Sequence, residues 1–350
     1  MAHVTERPCN VLFLVDSADA KHIDSEPSTP NWTIVSRVLD FRDLHASVEE
    51  IRRLATRHEI DFLIYSQNDQ VGKRISIGPI HKQLRLGYSS ISGIDRGDER
   101  VRVDQMRNCL QDFLTCLGPL PKSMPRTATE GTATPASAGS FSLAFDTEQL
   151  GGVRYGLPRL LRLLAKHQVR STFFATNLVD RVYRGLFAKL VSLGHEVAPH
   201  GLWHEDLSLL SIGEQTEHLK SMVGRLSVSP VGANFIGRMN EDTINALIQI
   251  GIKYFVYFDT NFFRLTSYPK PPTGPTGILT PVGEIWAIPV LVETYGAPWF
   301  SIRNMLDTAV YQTQRCGFPH VTVLCHPFRD GSINNIETTE RLLTHLLRAG

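Results

Sequence analysis

Apolar positions in this chain fall into short runs separated by longer stretches of helical period, and several of the runs end abruptly in an acid or a histidine. CNVLFLVD (9–16) reads as a buried strand ending in Asp16, and the run from Trp32 to Phe41 as a second. Val48, Ile51, Leu54 and Ala55 share one face of a helix predicted over His45–Glu59. Asp61–Tyr65 is a further strand, Ile75–Ile80 and Ser89–Ile94 can extend the sheet, and Val101–Leu117 is an amphipathic helix. These elements predict a small α/β domain over residues 1–117. Asp16 and the turn Ser66-Gln-Asn-Asp69 stand at strand ends, where open α/β sheets bind ligands. Without a GxGxxG motif or a P-loop, a structural or regulatory role and a small-ligand site both stay open.

Residues 118–139 are Pro-, Thr-, Ser-, Ala- and Gly-rich with little apolar mass, a composition that cannot bury enough surface to fold and predicts a flexible linker. From residue 140 to 350 strands and helices alternate. Phe141–Phe145 is a strand that delivers Asp146 and Glu148, followed by a glycine turn and a helix over Gly156–Lys166 with Pro158 in its first turn. Strands at Ser171–Ala175, Gly194–His200, Lys253–Phe258, Glu284–Val292 and Val321–Cys325 are interleaved with helices at Tyr183–Leu193, Ile212–Leu226, Asn240–Ile250, Met305–Cys316 and Glu337–Ala349. Alternation with polar residues gathered at strand C-ends argues for a (β/α) barrel.

Charge narrows the function. Thirty-six Lys and Arg nearly cancel thirty-five Asp and Glu, and no basic block appears, so the electrostatic footprint of a nucleic-acid binder is missing. Five cysteines with no CxxC pair suit reduced thiols rather than a disulfide framework. The N-terminus lacks a long apolar region and no run approaches membrane-spanning length, which predicts a cytoplasmic protein with no membrane span.

The remaining polar residues carry chemistry. Two imidazoles and one carboxylate can hold a hydrolytic divalent ion with a position open for water. His200 and His204, four apart after a strand, can reach one ion together; the strand-end pair Asp146 and Glu148 offers a ligand and a separate proton acceptor. His326 ends a second strand. Trp203, Phe235, Trp286, Tyr295 and Trp299 are candidate walls of a substrate cleft.

The segments Phe145-Asp-Thr-Glu148, Ser171-Thr-Phe-Phe174, Gly194–His204 and Leu324-Cys-His-Pro327 resemble, in order and spacing, the motifs of the polysaccharide deacetylase (NodB-homology) family. That resemblance implies a distorted (β/α)₇ barrel and metal-dependent hydrolysis of an N-acyl group from an amino sugar or its conjugate. It makes Asp146 the catalytic base, Glu148, His200 and His204 the ligands of a divalent metal (zinc first), and His326 the general acid. Thr147 stands where the family has a second acid, and the family's Arg-x-Pro is missing, leaving Arg238 to orient Asp146 and depress its pKa. These departures are similar to the branch that deformylates lipid-linked formamido-arabinose, so formyl competes with acetyl. A nucleotide- or lipid-linked amino sugar is the expected substrate. A catalytically degenerate sugar- or metal-binding barrel, or a cyclic amide hydrolase of the same fold, are the alternatives; the sequence does not give the oligomeric state.

Overall fold

A computed structural model of the chain describes residues 140–202, 204, 207, 210–226, 228–236, 239–258, 274–315 and 319–349. Towards the N-terminus it describes residues 9–16, 32–39, 50, 51, 53, 54, 57, 62–66, 87–91 and 108. The predicted strand Ile75–Ile80, the linker 118–139, nearly all of Val101–Leu117, and Trp203 and Arg238 lie outside the described residues. The chain divides into two compact units, residues 1–122 with 149–151, and residues 123–148 with 152–350.

In the N-terminal unit β1 (Cys9–Asp16), β2 (Trp32–Leu39), β3 (Phe62–Ser66) and β4 (Gly87–Ile91) form a parallel sheet in the order β2-β1-β3-β4. Chain direction across the sheet reverses between β1 and β3, so Asp16 and Ser66 end the two strands that flank the switch point. Ile51 and Leu54, on the helical face read from the sequence, are buried.

The C-terminal unit holds two sheets. One is parallel throughout and runs β12-β13-β5-β6-β7, from β5 (Ser140–Thr147), β6 (Thr172–Ala175), β7 (Glu196–Pro199), β12 (Val292–Glu293) and β13 (His320–Cys325). The other runs β10-β11-β9-β8, from β8 (Gly232–Asn234), β9 (Tyr254–Tyr257), β10 (Thr276–Thr280) and β11 (Gly283–Pro289), with β10 antiparallel at the edge. Both faces of the central strands are covered, which is why they read as unbroken apolar runs rather than alternations. Phe145, Phe173, Phe174 and Phe255 are completely buried between them.

Two seams join the sheets into a distorted (β/α) barrel. At the first the chain changes sheets within two residues: the Val290 N–H bonds to Tyr257 O in one sheet, and the Leu291 N–H to Thr322 O in the other. The predicted single strand Glu284–Val292 is therefore two, β11 and β12. At the second seam Tyr254 at the start of β9 sends its hydroxyl to Glu196 Oε2 at the start of β7 (2.7 Å), where Thr172 Oγ also donates (2.8 Å). Gly232 lets the ring through, since a Cβ there would fall inside the Tyr254 ring. The predicted helix Tyr183–Leu193 is the short helix Leu186–Ser192, and a second short helix, Asn177–Val182, which was not predicted, precedes it. Gly185 turns between them at φ 78°, a left-handed conformation that needs no Cβ. The helix Ile212–Arg225 starts where the sequence places it because Ser211 and Glu214 form a capping box.

Candidate active site

Polar side chains at strand N-ends, such as Glu196 and Tyr254, tie the barrel together; those at strand C-ends converge. In barrels of this kind the C-terminal face carries chemistry and the opposite face stability. Register explains the convergence. Cys325 pairs with Phe145, Thr147 with Ala175 and Ala175 with Pro199, so His326, Asp146 and His200 leave adjoining strands at one level.

Curling of the sheet brings them close although β6 lies between β5 and β7. Asp146 Oδ2 stands 3.7 Å from His200 Nε2 and 3.9 Å from His326 Nε2. Its other oxygen accepts a 2.7 Å hydrogen bond from Asn234 Nδ2. Asn234, from the second sheet, also offers its carbonyl to His200 Nδ1 at 2.7 Å. One residue thus fixes both partners. A carbonyl only accepts, so His200 carries its proton on Nδ1 and turns the Nε2 lone pair inward. Nε2 is buried and has no hydrogen-bond partner among the described residues. A lone pair facing a carboxylate oxygen in a dry site calls for a cation or a proton between them.

The electrostatics follow from burial. Asp146 is held above the ordinary carboxylate range by desolvation first, with His200 and the Asn234 bond pulling the other way. Among the described residues the partner found for Asp146 is this neutral amide; Arg238, expected to orient it, lies outside them, and the net shift is upward rather than the expected depression. His326 is driven down to about 3, by desolvation first and then by His200 and Arg329, so the imidazole expected to be protonated rests neutral.

His204 places its ring 4.8 Å from that of His200, centroid to centroid, and adopts φ 75° after Gly201 at φ 100°. The HxxxH pair therefore comes together through a left-handed turn rather than a helix. Glu148 is buried just past β5, and Thr147 turns its hydroxyl back to Phe145 O, so position 147 contributes nothing to the cleft. The imidazole pair suits a divalent ion: two adjacent rings, one lone pair fixed inward and no hydrogen bond claiming it. Among the described residues, no group of three His, Cys, Asp or Glu side chains is placed to hold a metal ion, so the structure does not show Glu148 joining the two histidines as a ligand.

Of the candidate walls, Phe235 is core and Trp286 lies half-exposed on β11. Trp299 packs edge-on against His345. Among the described candidates, Tyr295 alone stands at the cleft, its ring edge-on to His326 at 4.9 Å, and Trp203 lies outside the described residues. Two residues missed in the sequence are Asn234 and Glu293. Asn234 closes a strand of three residues, too short for any period to show. Glu293 ends the apolar run before Thr294 just as Asp146 ends its own, and that signature was available.

Behind His326 the backbone is packed without a gap. A five-residue π-helix, Gly152–Gly156, abuts the short helix Pro327–Asp330, and a Cβ on Gly156 would overlap the Pro327 carbonyl. Asp330 in turn accepts the His326 backbone N–H at 2.6 Å. Glycines at 152 and 156 let main chain meet main chain, which sets where the imidazole stands.

Residues 133–255 match the family described as polysaccharide deacetylase. A chitooligosaccharide deacetylase of Sinorhizobium fredii (strain NBRC 101917 / NGR234) is 41% identical over 51 residues, 15% of this chain and 24% of that protein. YlxY of Bacillus subtilis (strain 168), an uncharacterised protein, is 38% identical over 63 residues, 18% of this chain and 20% of its own. The chain thus spans about a quarter or less of the length of these curated relatives. A crystal structure assigned to the polysaccharide deacetylases, from Mycobacterium smegmatis, superposes with a TM-score of 0.52 at 17% identity, covering 63% of this chain and 88% of that one. At that identity it speaks for the fold alone.

Proposed function

We propose that the C-terminal unit, whose residues 133–255 match the polysaccharide deacetylase family, hydrolyses an N-acyl group, acetyl or formyl, from an amino sugar or a lipid- or nucleotide-linked amino-sugar conjugate. The observation that carries this reading is the free oxygen of Asp146, buried and aimed between two imidazoles from different strands. Such an oxygen is placed to take a proton from a water lying between Asp146 and the histidines. His200 and His204, with Glu148 as third donor, would hold a divalent cation, zinc first. Bound there, the cation supplies Lewis acidity towards water and an acyl oxygen.

The chain's own groups do the rest. Asn234 holds Asp146 in register by its second oxygen, and its hydrogen bond favours the ionised form that a base requires. As water attacks the acyl carbon, its proton passes to Asp146. When the C–N bond then breaks, the electron pair stays on nitrogen, which must gain a proton from the side of His326 Nε2. Tyr295 and Phe328 shut water from that imidazole, both edge-on to its ring.

A second reading rests on Thr147: with no carboxylate at that position, the barrel binds a sugar or a metal without turning it over. One experiment separates the two. The purified protein is assayed for zinc by mass spectrometry and for acetate or formate release from N-acylated amino-sugar oligomers, beside Asp146→Asn and His204→Ala. Hydrolysis reads as release by the wild type, loss in Asp146→Asn with zinc retained, and loss of zinc in His204→Ala with the fold intact. Zinc binding without release in the wild type would establish the binder instead.

A further inference from the structure

We infer that Ser140 is a base-activated hydroxyl, an acyl acceptor for an activated ester, at the end of the barrel opposite the cleft. Ser140 and His320 open β5 and β13 and stand directly across from each other in the ladder between them; Ser142 and Thr322 do the same two residues further in. Steps of two residues along both strands lead from this pair to Asp146 and His326, so all of these positions share one face of the sheet. Six residues of strand separate the two ends, a distance of about 20 Å. The same two strands thus carry an imidazole beside a β5 side chain at either end.

The hydrogen bonds at the N-terminal end run in one direction. Ser142 Oγ donates to Thr322 Oγ1 at 3.3 Å. A hydroxyl has one proton, so Ser142 meets His320 Nε2, 3.1 Å away, as an acceptor, and the imidazole carries its proton on that nitrogen. Nδ1 is left with a lone pair, and Ser140 Oγ lies 2.8 Å from it. Ser140 therefore gives its proton to a ring nitrogen whose imidazole is oriented from behind by a third group, the relation that turns a serine into a nucleophile. Here the orienting group is a hydroxyl rather than a carboxylate.

Placement supports the role. Ser140 is exposed, whereas Ser142 and His320 are half-buried. The Ser140 N–H is bonded to Pro319 O at 2.8 Å, which fixes the backbone that presents the hydroxyl to the imidazole. Burial lowers the His320 pKa, so near neutrality the ring is unprotonated and free to accept. Ser192 offers the contrast: it is exposed as well, but its hydroxyl donates to Lys189 O at 2.7 Å, and a peptide carbonyl is no base.

The step balances as follows. Ser140 Oγ attacks the acyl carbon, and its proton passes to Nδ1 as the Oγ–C bond forms. The ester C–O bond breaks, its electron pair leaves on the alcohol oxygen, and that oxygen takes the proton from Nδ1. The acyl group stays on Ser140. None of the residues proposed for N-acyl hydrolysis takes part.

The test uses the full chain and a fluorophosphonate, which reacts by the same attack at phosphorus, expels fluoride and leaves a stable adduct. Folded wild type, wild type unfolded in urea, and His320→Gln are compared by mass spectrometry of the peptides bearing Ser140 and Ser192. In folded wild type Ser140 is expected to react about 100-fold faster than Ser192 or more, the range of general-base assistance. That advantage should vanish in urea and in His320→Gln, where glutamine can hydrogen-bond the hydroxyl but cannot take its proton. An advantage below about tenfold in folded wild type overturns the inference whatever the variant does. So does an advantage that survives in a His320→Gln protein shown to be folded by circular dichroism.

Discussion

Replacing Asn234 by leucine separates what holds Asp146 from what holds His200. Leucine keeps the branched heavy-atom skeleton of asparagine, though with bulkier methyl groups, so the buried site stays filled, but the 2.7 Å bond from Nδ2 to Asp146 Oδ1 is lost. The Asn234 carbonyl that receives His200 Nδ1–H belongs to the backbone and survives. A hydrogen bond to a charged acceptor contributes roughly 1.5–3 kcal/mol. Removing one that favours the ionised form raises the Asp146 pKa, and at about 1.4 kcal/mol per unit the rise is about 1–2 units. A base works only when deprotonated, so the acid limb of kcat/KM for acyl release moves to higher pH by that amount. Below both limbs the rate falls about 10–100-fold; above the displaced limb much of it returns. The assay is the pH profile of acetate release from an N-acetylated amino-sugar oligomer, with zinc content measured on the same samples. An unmoved acid limb, or loss of zinc in step with loss of activity, refutes the assignment of Asn234 as the clamp on the base.

Three further outcomes follow from packing and charge. Gly156→Ala puts a methyl into the Pro327 carbonyl, so the π-helix and the His326 turn must part; a loss of about 2–4 kcal/mol by chemical denaturation is expected, with amide turnover falling further than stability alone explains. Tyr254→Phe removes a donor from Glu196 at the far end of the barrel and should cost about 1–3 kcal/mol, a Tm drop of about 2–10 °C by calorimetry, with kcat unchanged in the folded enzyme. Asp180 is raised to about 6 by burial, which a bond from the Phe187 backbone only partly offsets. Its folded pKa exceeds the unfolded one, so stability is greatest below about pH 4 for this group and declines up to about pH 6. Asp180→Asn should therefore raise Tm at pH 8, by an amount equivalent to about 1–2 kcal/mol after allowing for partial exposure, and leave Tm at pH 4 nearly unchanged.

What the sequence made legible was whatever depends on short-range period. The run Phe141–Phe145 ending in Asp146 announced both a buried strand and a functional carboxylate, because a doubly covered strand has no polar face and its polar residues collect at its end. The (β/α) alternation was readable for the same reason, while the division into three segments at 117 and 139 falls largely on residues outside the described set. Partners across the barrel were not readable. Asn234 and Asp146 are 88 residues apart, and nothing local in Gly232-Ala-Asn234 shows that this amide will meet that carboxylate. The break of Glu284–Val292 into two strands escaped for a related reason: an apolar run is equally at home in either sheet, and only closure of the barrel decides where it crosses.

That crossing also accounts for the chemistry. Had Glu284–Val292 stayed in one sheet, Glu293 would have ended beside β9, remote from His326. Leaving β9 after Val290 and joining β13 at Leu291 carries the next acid to the neighbour of the strand that bears the imidazole. The sheet change that seals one seam of the barrel and the placement of the Glu293 carboxylate 3.9 Å from His326 Nε2 are one structural event. A change that holds Val290–Val292 to the first sheet should then disturb barrel closure and amide turnover together.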